Sequence, residues 1–226
     1  MNRLMKALFV VALLATSAAQ AVVVRGTGAG ALIGGDLTDP ENNGNPEADA
    51  GYNATFRSSV EPGFGGGEYA FNVFDNRVGG GNDKWCCDGG TVWVEANFGS
   101  QRYNLTKFTA TSGNDGPERD PDIWQILGSN DGINYTPIFS YNNNGVSAWG
   151  SNRLQVNEYS KAGGDFSSNA AYSIFRYQAT STVYENGMHQ LNELEFFGTA
   201  VPEPGTLALG GLGLVALALS RRKKRA

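Results

Sequence analysis

Apolar residues recur at every second position in short runs between residues 22 and 198, a spacing typical of strands that bury one face. The runs that we predict as strands are 92–98, 103–110, 124–127, 138–141, 172–179 and 190–197. Turn clusters at 113–117, 129–132 and 142–145 contain Asn-Gly or Asp-Gly pairs, which suit tight hairpin turns. No stretch here has the period of an amphipathic helix. The pattern therefore predicts an all-β domain, and the strand spacing favours a β-sandwich.

Composition and charge exclude two classes of protein. Only 17% of the 226 residues are charged and 31 are glycine, which disfavours a coiled coil or a long helical bundle. Residues 7–220 carry 10 basic against 22 acidic side chains, a net charge of −12. Because such a surface repels phosphate backbones, we exclude nucleic acid as a partner.

The N-terminal 21 residues have the three parts of a secretory signal peptide. Arg3 and Lys6 form a positive region, residues 7–15 are apolar, and Ala19-Gln20-Ala21 is a small-x-small site for signal peptidase. The alternative is a buried first helix. We expect cleavage of the signal helix at residue 21 and a mature chain in an oxidising compartment.

The C-terminus combines a proline motif, an apolar stretch and a basic end. Val201-Pro202-Glu203-Pro204 lies in a linker over 199–205, residues 206–220 form a predicted transmembrane helix, and Arg221 and Arg222 begin a basic tail over 221–226. The 14 apolar residues of 206–219 would span about 21 Å as a helix, less than the ~30 Å hydrocarbon core. The positive-inside rule places the tail in the cytoplasm.

This order of elements resembles the PEP-CTERM sorting signal of Gram-negative bacteria over residues 201–226. The resemblance implies recognition and cleavage by an exosortase after transient anchoring in the inner membrane. It also implies a secreted or cell-surface location and an association with extracellular polysaccharide. The alternative is a plain short membrane anchor.

A second resemblance covers residues 68–198. Phe74-Asp75-Asn76, Lys84-Trp85, the segments 117–121 and 127–132, and the closing run 190–196 occur in the order found in discoidin-like domains. They resemble the galactose-binding-like β-sandwich of discoidin domains, coagulation-factor type C domains and bacterial carbohydrate-binding modules. The resemblance implies a jelly-roll fold for the domain that we place at residues 22–198.

The second resemblance also implies a structural Ca²⁺. The matching ligands are Asp75, Asp83 or Asn82, and Glu193, with backbone oxygens near Asn72 and Asn192. Hard cations need several oxygen ligands, which neighbouring loops can supply. The alternative is that these carboxylates cap loops without a metal.

Cys86 and Cys87 are adjacent, and the chain has no other cysteine. Neighbouring cysteines can join only in a strained ring, so we consider a vicinal disulfide, a free pair and a bond to another chain. A zinc site is disfavoured because His189 is the only histidine.

Sugar binding needs an aromatic plane and a few planar polar groups on the loops at one end of the sandwich. The candidates are Trp149, Arg153, Tyr184 and His189, each of which is more often an ordinary surface or core residue. We assign Trp93 and Trp124 to core packing and expect residues 118–120 to form a local ion pair.

Catalysis is not expected from this sequence. A serine triad would have to use His189, and no Gly-x-Ser-x-Gly elbow precedes it. A glycosidase needs two carboxylates across a cleft, which a small sandwich seldom provides. We therefore predict a non-catalytic protein that binds carbohydrate at the cell surface or in the exopolysaccharide matrix. The alternative is a structural matrix protein without a sugar ligand.

Overall fold

The computed structural model describes residues 22–39, 51–60, 67–184 and 188–202. Within these ranges the chain forms β-strands and short 3₁₀ turns, and none of its helices is long and apolar enough to cross a membrane. The predicted signal helix and the predicted sorting helix lie outside the described residues. The strands are β1 (Val23–Thr27), β2 (Thr55–Ser58), β3 (Trp85–Gly89), β4 (Val92–Asn97), β5 (Arg102–Thr111), β6 (Pro121–Ser129), β7 (Thr136–Asn142), β8 (Gln155–Ser160), β9 (Ala171–Tyr172), β10 (Ile174–Thr182), β11 (Met188–Leu191) and β12 (Glu193–Val201).

Two five-stranded antiparallel sheets form a jelly-roll β-sandwich. The first sheet has the order β1-β8-β5-β12, with β9 pairing to the start of β5. The second sheet has the order β2-β4-β10-β6-β7, and β3 pairs with β11 in a separate short sheet. The predicted all-β fold class is confirmed.

The core lies between the two sheets and is rich in aromatic rings. Trp124 on β6 is fully buried, and its ring centroid lies 5.0 Å from Phe139 and 5.6 Å from Tyr177. Phe108 on β5 stacks on Tyr159 of β8 with ring centroids 4.9 Å apart, so these two rings form part of the first sheet's contribution to the core. Inward positions alternate along each strand, as the sequence pattern predicts.

The structure differs from the sequence prediction at β8 and at Trp93. β8 was not predicted, because its buried Gln155 and Asn157 are polar and conceal the alternation. These two side chains satisfy each other with a 2.7 Å hydrogen bond. Trp93 is not a core residue: it alternates with the buried Val92 and Val94 and therefore lies on the outer face of the second sheet, partly exposed.

Candidate functional site

Three loops meet at one end of the sandwich. The turn at Pro117–Arg119 follows Gly116, whose φ of 45° turns the chain in the left-handed region. The backbone N–H of Tyr184, just after β10, donates to the carbonyl of Glu118 over 3.0 Å. With the loop between β7 and β8, these segments enclose a shallow cleft of about 420 Å³. The cleft is lined by Pro117, Glu118, Gly145, Val146, Ser147, Gly150 and Val183.

An ion pair between Arg153 and Asp120 joins two of these loops. The guanidinium donates to both carboxylate oxygens of the fully buried Asp120, over 2.8 and 2.6 Å. The hydroxyl of Ser147 donates to the same carboxylate over 2.6 Å. The expectation of a local pair within residues 118–120 is therefore wrong, because Asp120 pairs across the loops and Arg119 reaches Asp115 at 3.4 Å. Arg153 therefore positions the loops. Most of its N–H groups already donate to Asp120 or to backbone carbonyls.

Two of the four predicted sugar contacts are core residues. Trp149 is 2% exposed, and its indole N–H donates to the carbonyl of Ala110 over 3.2 Å. His189 is 1% exposed, and its Nε2 lies 2.8 Å from the hydroxyl of Tyr177. Burial lowers the pKa of His189 to about 3, so the ring is neutral. Both expectations are corrected, because neither ring can be reached by a ligand in this structure.

Tyr184 is the predicted contact that the structure leaves available. Its side chain is 68% exposed, and it follows Val183, which lines the cleft. Val146 within the cleft is about half exposed and was missed by the sequence analysis. In the sequence, Asn144-Gly145 before Val146 predicts a turn. The sequence does not show that this turn lies next to Pro117, which only the fold reveals.

Buried carboxylates gather where the turn at Ala70–Phe74 packs against β12. Glu193 is fully buried, and neither of its carboxylate oxygens has a hydrogen-bond partner among the described residues. Burial raises its pKa well above the usual range, and the nearby charges of Asp75 and Asp36 raise it further. Burial also raises the pKa of Asp75 and of Asp36, each to about 7.

Three further buried oxygens, on the turn that packs against β12 and just after it, suit a hard cation. Asp75 Oδ2 and the amide oxygens of Asn72 and Asn76 are also buried without a hydrogen-bond partner among the described residues. Unpaired buried oxygens of this kind are costly, and oxygen donors from carboxylates and amides are what Ca²⁺ prefers. Asn192 contributes differently, because its side chain holds Gly79 through two hydrogen bonds of 3.2 and 2.7 Å.

Asp83 is not brought into this group with Asp75 and Glu193. Among the described residues, the one set of three or more acidic, histidine or cysteine side chains with ligand atoms within 4.8 Å of one another is Glu68, Cys86 and Cys87. The carboxylate of Asp83 instead lies 3.6 Å from the guanidinium of Arg77. The structure therefore gives no support for Asp83 as a ligand alongside Asp75 and Glu193, and these two stay predicted ligands.

Cys86 and Cys87 are joined by a disulfide in the structure. They follow the buried Trp85, which begins β3, and Cys86 pairs with Gln190 of β11. The side-chain amide of Gln190 donates to the carbonyls of Asp115 and Gly116. The disulfide segment is thus tied, through β11, to the loop that precedes the cleft.

Two of the predicted sorting residues are described. Val201 ends β12, and Pro202 follows it on the surface. Glu203, Pro204, Arg221 and Arg222 lie outside the described residues.

Comparison with known proteins identifies one family motif in the chain. The profile described as the PEP-CTERM protein-sorting motif matches residues 200–223. No curated protein matches the chain at a significant level. The C-terminal segment is therefore a PEP-CTERM sorting motif, as predicted.

Solved structures share the fold at low sequence identity. A fucolectin from striped bass serum, Morone saxatilis, has a TM-score of 0.50 and 15% identity over 67% of this chain, which covers 49% of the fucolectin chain. CBM62 from Clostridium thermocellum Xyl5A has a TM-score of 0.49 and 16% identity over 66% of this chain and 96% of its own. A Clostridium perfringens CBM32 module, solved with GalNAc-β-1,3-galactose, has a TM-score of 0.47 and 16% identity over 65% of this chain and 96% of its own. At these identities the likeness concerns the fold.

Proposed function

We propose that this is a secreted, non-catalytic protein that binds carbohydrate at the cell surface or in the exopolysaccharide matrix. The observation that carries the proposal is the cleft at the loop end, which is lined by the half-exposed Val146 and by Val183, the residue before the exposed Tyr184. Two supporting facts are the galactose-binding-like fold and the sorting motif at residues 200–223. The fold is shared with a fucolectin, whose name points to the same class of ligand.

The cleft has the mixture of surfaces that a sugar ring requires. Tyr184, Val146 and Pro117 supply apolar area for the C–H face of a ring. The carboxylate of Glu118 has no hydrogen-bond partner among the described residues and can accept from hydroxyl groups. The Arg153–Asp120 pair beneath keeps the loops in place, which reduces the ordering that binding would cost.

Calcium is the proposed cofactor, held by Asp75 and Glu193 with amide oxygens of Asn72 and Asn76. Its role would be structural, because it would neutralise Glu193, which is buried without a donor on either oxygen, and Asp75, whose Oδ2 has none. Asp36 adds a third carboxylate to the local field, so a divalent charge is favoured there.

Processing is proposed to follow the two terminal signals. Signal peptidase would remove residues 1–21, and an exosortase would act near Pro202-Glu203-Pro204 while residues 206–220 hold the chain in the inner membrane of a Gram-negative cell. One observation favours the alternative role in matrix assembly. β1 pairs on one side with β8, and its Val23 and Val24 are each about half exposed, a feature of strands that add to another chain.

Binding to neutral glycans tests the proposal. The exported protein, purified from cells that express the full chain, is applied to a glycan panel and to the host exopolysaccharide, with Ca²⁺ and with chelator. We expect saturable retention that Tyr184→Ala weakens about tenfold. The control Ile133→Ala should leave it unchanged, because Ile133 is an even more exposed apolar residue, at 80%, on another loop. No retention by the wild-type protein in either condition would contradict carbohydrate binding and favour assembly.

A further inference from the structure

The outer face of the second sheet carries a cationic network that the loop cleft does not use. Its centre is Glu95 on β4, whose side chain is fully buried although it lies on the solvent side of the sheet. Arg57 from β2 donates to Glu95 Oε1 over 2.9 Å, and Arg176 from β10 donates to Oε2 over 2.9 and 2.7 Å. The hydroxyl of Tyr135 donates to Oε2 over 2.6 Å. Glu95 therefore fixes two guanidinium groups on this face.

Two aromatic rings hold Arg176 in a defined plane. The guanidinium carbon lies 3.8 Å from the ring centroid of Trp93 and 3.8 Å from that of Tyr135. These are favourable cation–π distances. Trp93 and Tyr135 both remain partly exposed, so the stack presents aromatic area together with positive charge.

A row of flat polar side chains continues from Trp93 across the sheet. Strand pairing places Trp93 opposite Gln178, Gln178 opposite Gln125, and Gln125 opposite Ser140. With strands roughly 4.8 Å apart, this row extends about 14 Å. Gln178 makes no side-chain hydrogen bond among the described residues, and Gln125 uses one donor on Ser140. The row offers an extended platform rather than a pocket.

The charge of the face is opposite to that of the chain around it. Glu95 is the one carboxylate at the outward strand positions described for this sheet, and it is covered by its donors. Two guanidiniums against one carboxylate leave a net charge of +1, with Arg57 62% exposed. The carboxylate of Asp131, on the adjoining loop, accepts from Asn134 and from the N–H of Ile133. The outward strand positions are therefore cationic within a domain that is acidic overall, and the ionised carboxylate of Asp131 lies on the loop at their edge.

Fold stability alone gives a weak reason for this network. A buried ion triad often contributes no more than well-packed apolar residues of similar volume, because the charges must be desolvated. On the outer face of a sheet, Arg57 and Arg176 could also have pointed into water. A binding role would account for the position of these two arginines beside the ring of Trp93 and the amides of Gln178 and Gln125.

We propose that this outer face is a second carbohydrate-binding site, which takes an extended anionic polysaccharide bearing carboxylate groups. Trp93 contacts a sugar ring, Arg57 pairs with a carboxylate of the ligand, and Gln178 and Gln125 bind hydroxyls along the chain. The site is separate from the loop cleft, so it does not depend on sugar binding there. Chain-like ligands suit it because the contacts are spread along a row.

Binding to alginate, a polymer of uronic acids, tests this proposal with dextran as the neutral comparison. The exported protein, purified from cells that express the full chain, is titrated with each polymer by calorimetry and affinity electrophoresis. We expect saturable alginate binding that weakens with added NaCl, falls about fivefold in Arg57→Gln, and falls at least tenfold in Trp93→Ala. Arg102→Gln is the matched control, since Arg102 is an exposed arginine on β5 of the other sheet.

The outcomes separate this site from the loop cleft. If Tyr184→Ala removes binding to a neutral glycan but leaves alginate binding intact, the two sites are independent, as we propose. Equal losses of alginate affinity in Arg57→Gln and Arg102→Gln would overturn the proposal, because they would show that alginate responds only to the net charge of the protein. Absence of alginate binding by the wild-type protein would also overturn it. If Trp93→Ala melts at a lower temperature, Arg57→Gln decides, because Glu95 keeps Arg176 and Tyr135 in that variant.

Discussion

Removal of calcium is expected to make the stability of the fold fall as pH rises, through Asp75. Burial raises the pKa of Asp75 to about 7 from an ordinary value of 3.8. A carboxyl group whose pKa is higher in the folded state stabilises the fold while protonated, so this contribution is present in acid and lost as pH rises through 7. Between pH 5 and pH 8 the loss is about 3 kcal/mol for one group, or about 6–12 °C in melting temperature for a domain of this size.

The assay is thermal melting in chelator at pH 5 and pH 8, for wild type and Asp75→Asn. The pKa values of His189, Asp36 and Glu193 are also shifted by burial, so the relevant quantity is the difference between the two proteins. Between pH 5 and pH 8 we expect the unfolding free energy of Asp75→Asn to fall by about 3 kcal/mol less than that of wild type. Asp83→Asn is the comparison, because Asp83 is partly exposed and its oxygens are not among the unpaired buried ones. Its charge adds to the effect of burial on the pKa of Asp75, so this variant should keep most, but not all, of the wild-type pH dependence.

Added Ca²⁺ should reverse the trend at pH 8. At a concentration 100 times its dissociation constant, an ion that binds only the folded state stabilises by about 2.7 kcal/mol. Wild type and Asp83→Asn should gain this stability, and Asp75→Asn should gain little. Equal pH dependence in wild type and Asp75→Asn, or equal calcium response in Asp75→Asn and Asp83→Asn, would refute the reasoning.

Two further predictions concern groups near the loop end. Burial lowers the pKa of His189 to about 3 from 6.5, so the stability that the neutral ring contributes is complete above pH 6.5 and is lost as pH falls. The unfolding free energy of wild type should therefore fall by about 2 kcal/mol more than that of His189→Gln between pH 7 and pH 5, measured by thermal melting at each pH. Arg153→Ala should cost about 3 kcal/mol in urea unfolding, because Asp120 is left buried without its ion pair, whereas Arg119→Ala should cost under about 1 kcal/mol. A similar loss in both arginine variants would show that Asp120 is not held by Arg153.

The strands were predictable where one face is apolar and the other polar. β4 and β10 show this alternation, and their pairing follows it. β8 escaped prediction because Gln155 and Asn157 are buried, and their mutual hydrogen bond exists only in the fold. The local sequence pattern identifies a strand when its buried residues are apolar and its exposed residues are polar. It fails where polar side chains are buried and hydrogen-bonded within the fold.

The candidate ligand residues were less predictable than the strands, because residue type does not fix exposure. Trp149 and Trp93 are chemically the same, yet Trp149 packs on Trp124 in the core whereas Trp93 lies over Arg176 on the surface. For Trp93 the signal was present, since Glu95 on the same side of β4 marks an outward face. For Trp149 the deciding contacts come from strands far along the chain, and no local pattern contains them.

The carboxylates of β4 and β12 show what decides between an ion pair and a metal site. Glu95, Glu193 and Glu195 are all fully buried. Glu95 has two arginines and a tyrosine, and Glu195 accepts from the backbone N–H groups of Ile33 and Gly34 and from Thr109.

Glu193 has no donor on either oxygen among the described residues, and its acidic neighbours increase the need for positive charge. Glu193 and Glu195 stand two positions apart on one strand, so the sequence cannot distinguish them. The difference arises from what the fold brings opposite each side chain, and a cation at Glu193 would supply the compensation that protein donors supply to the other two.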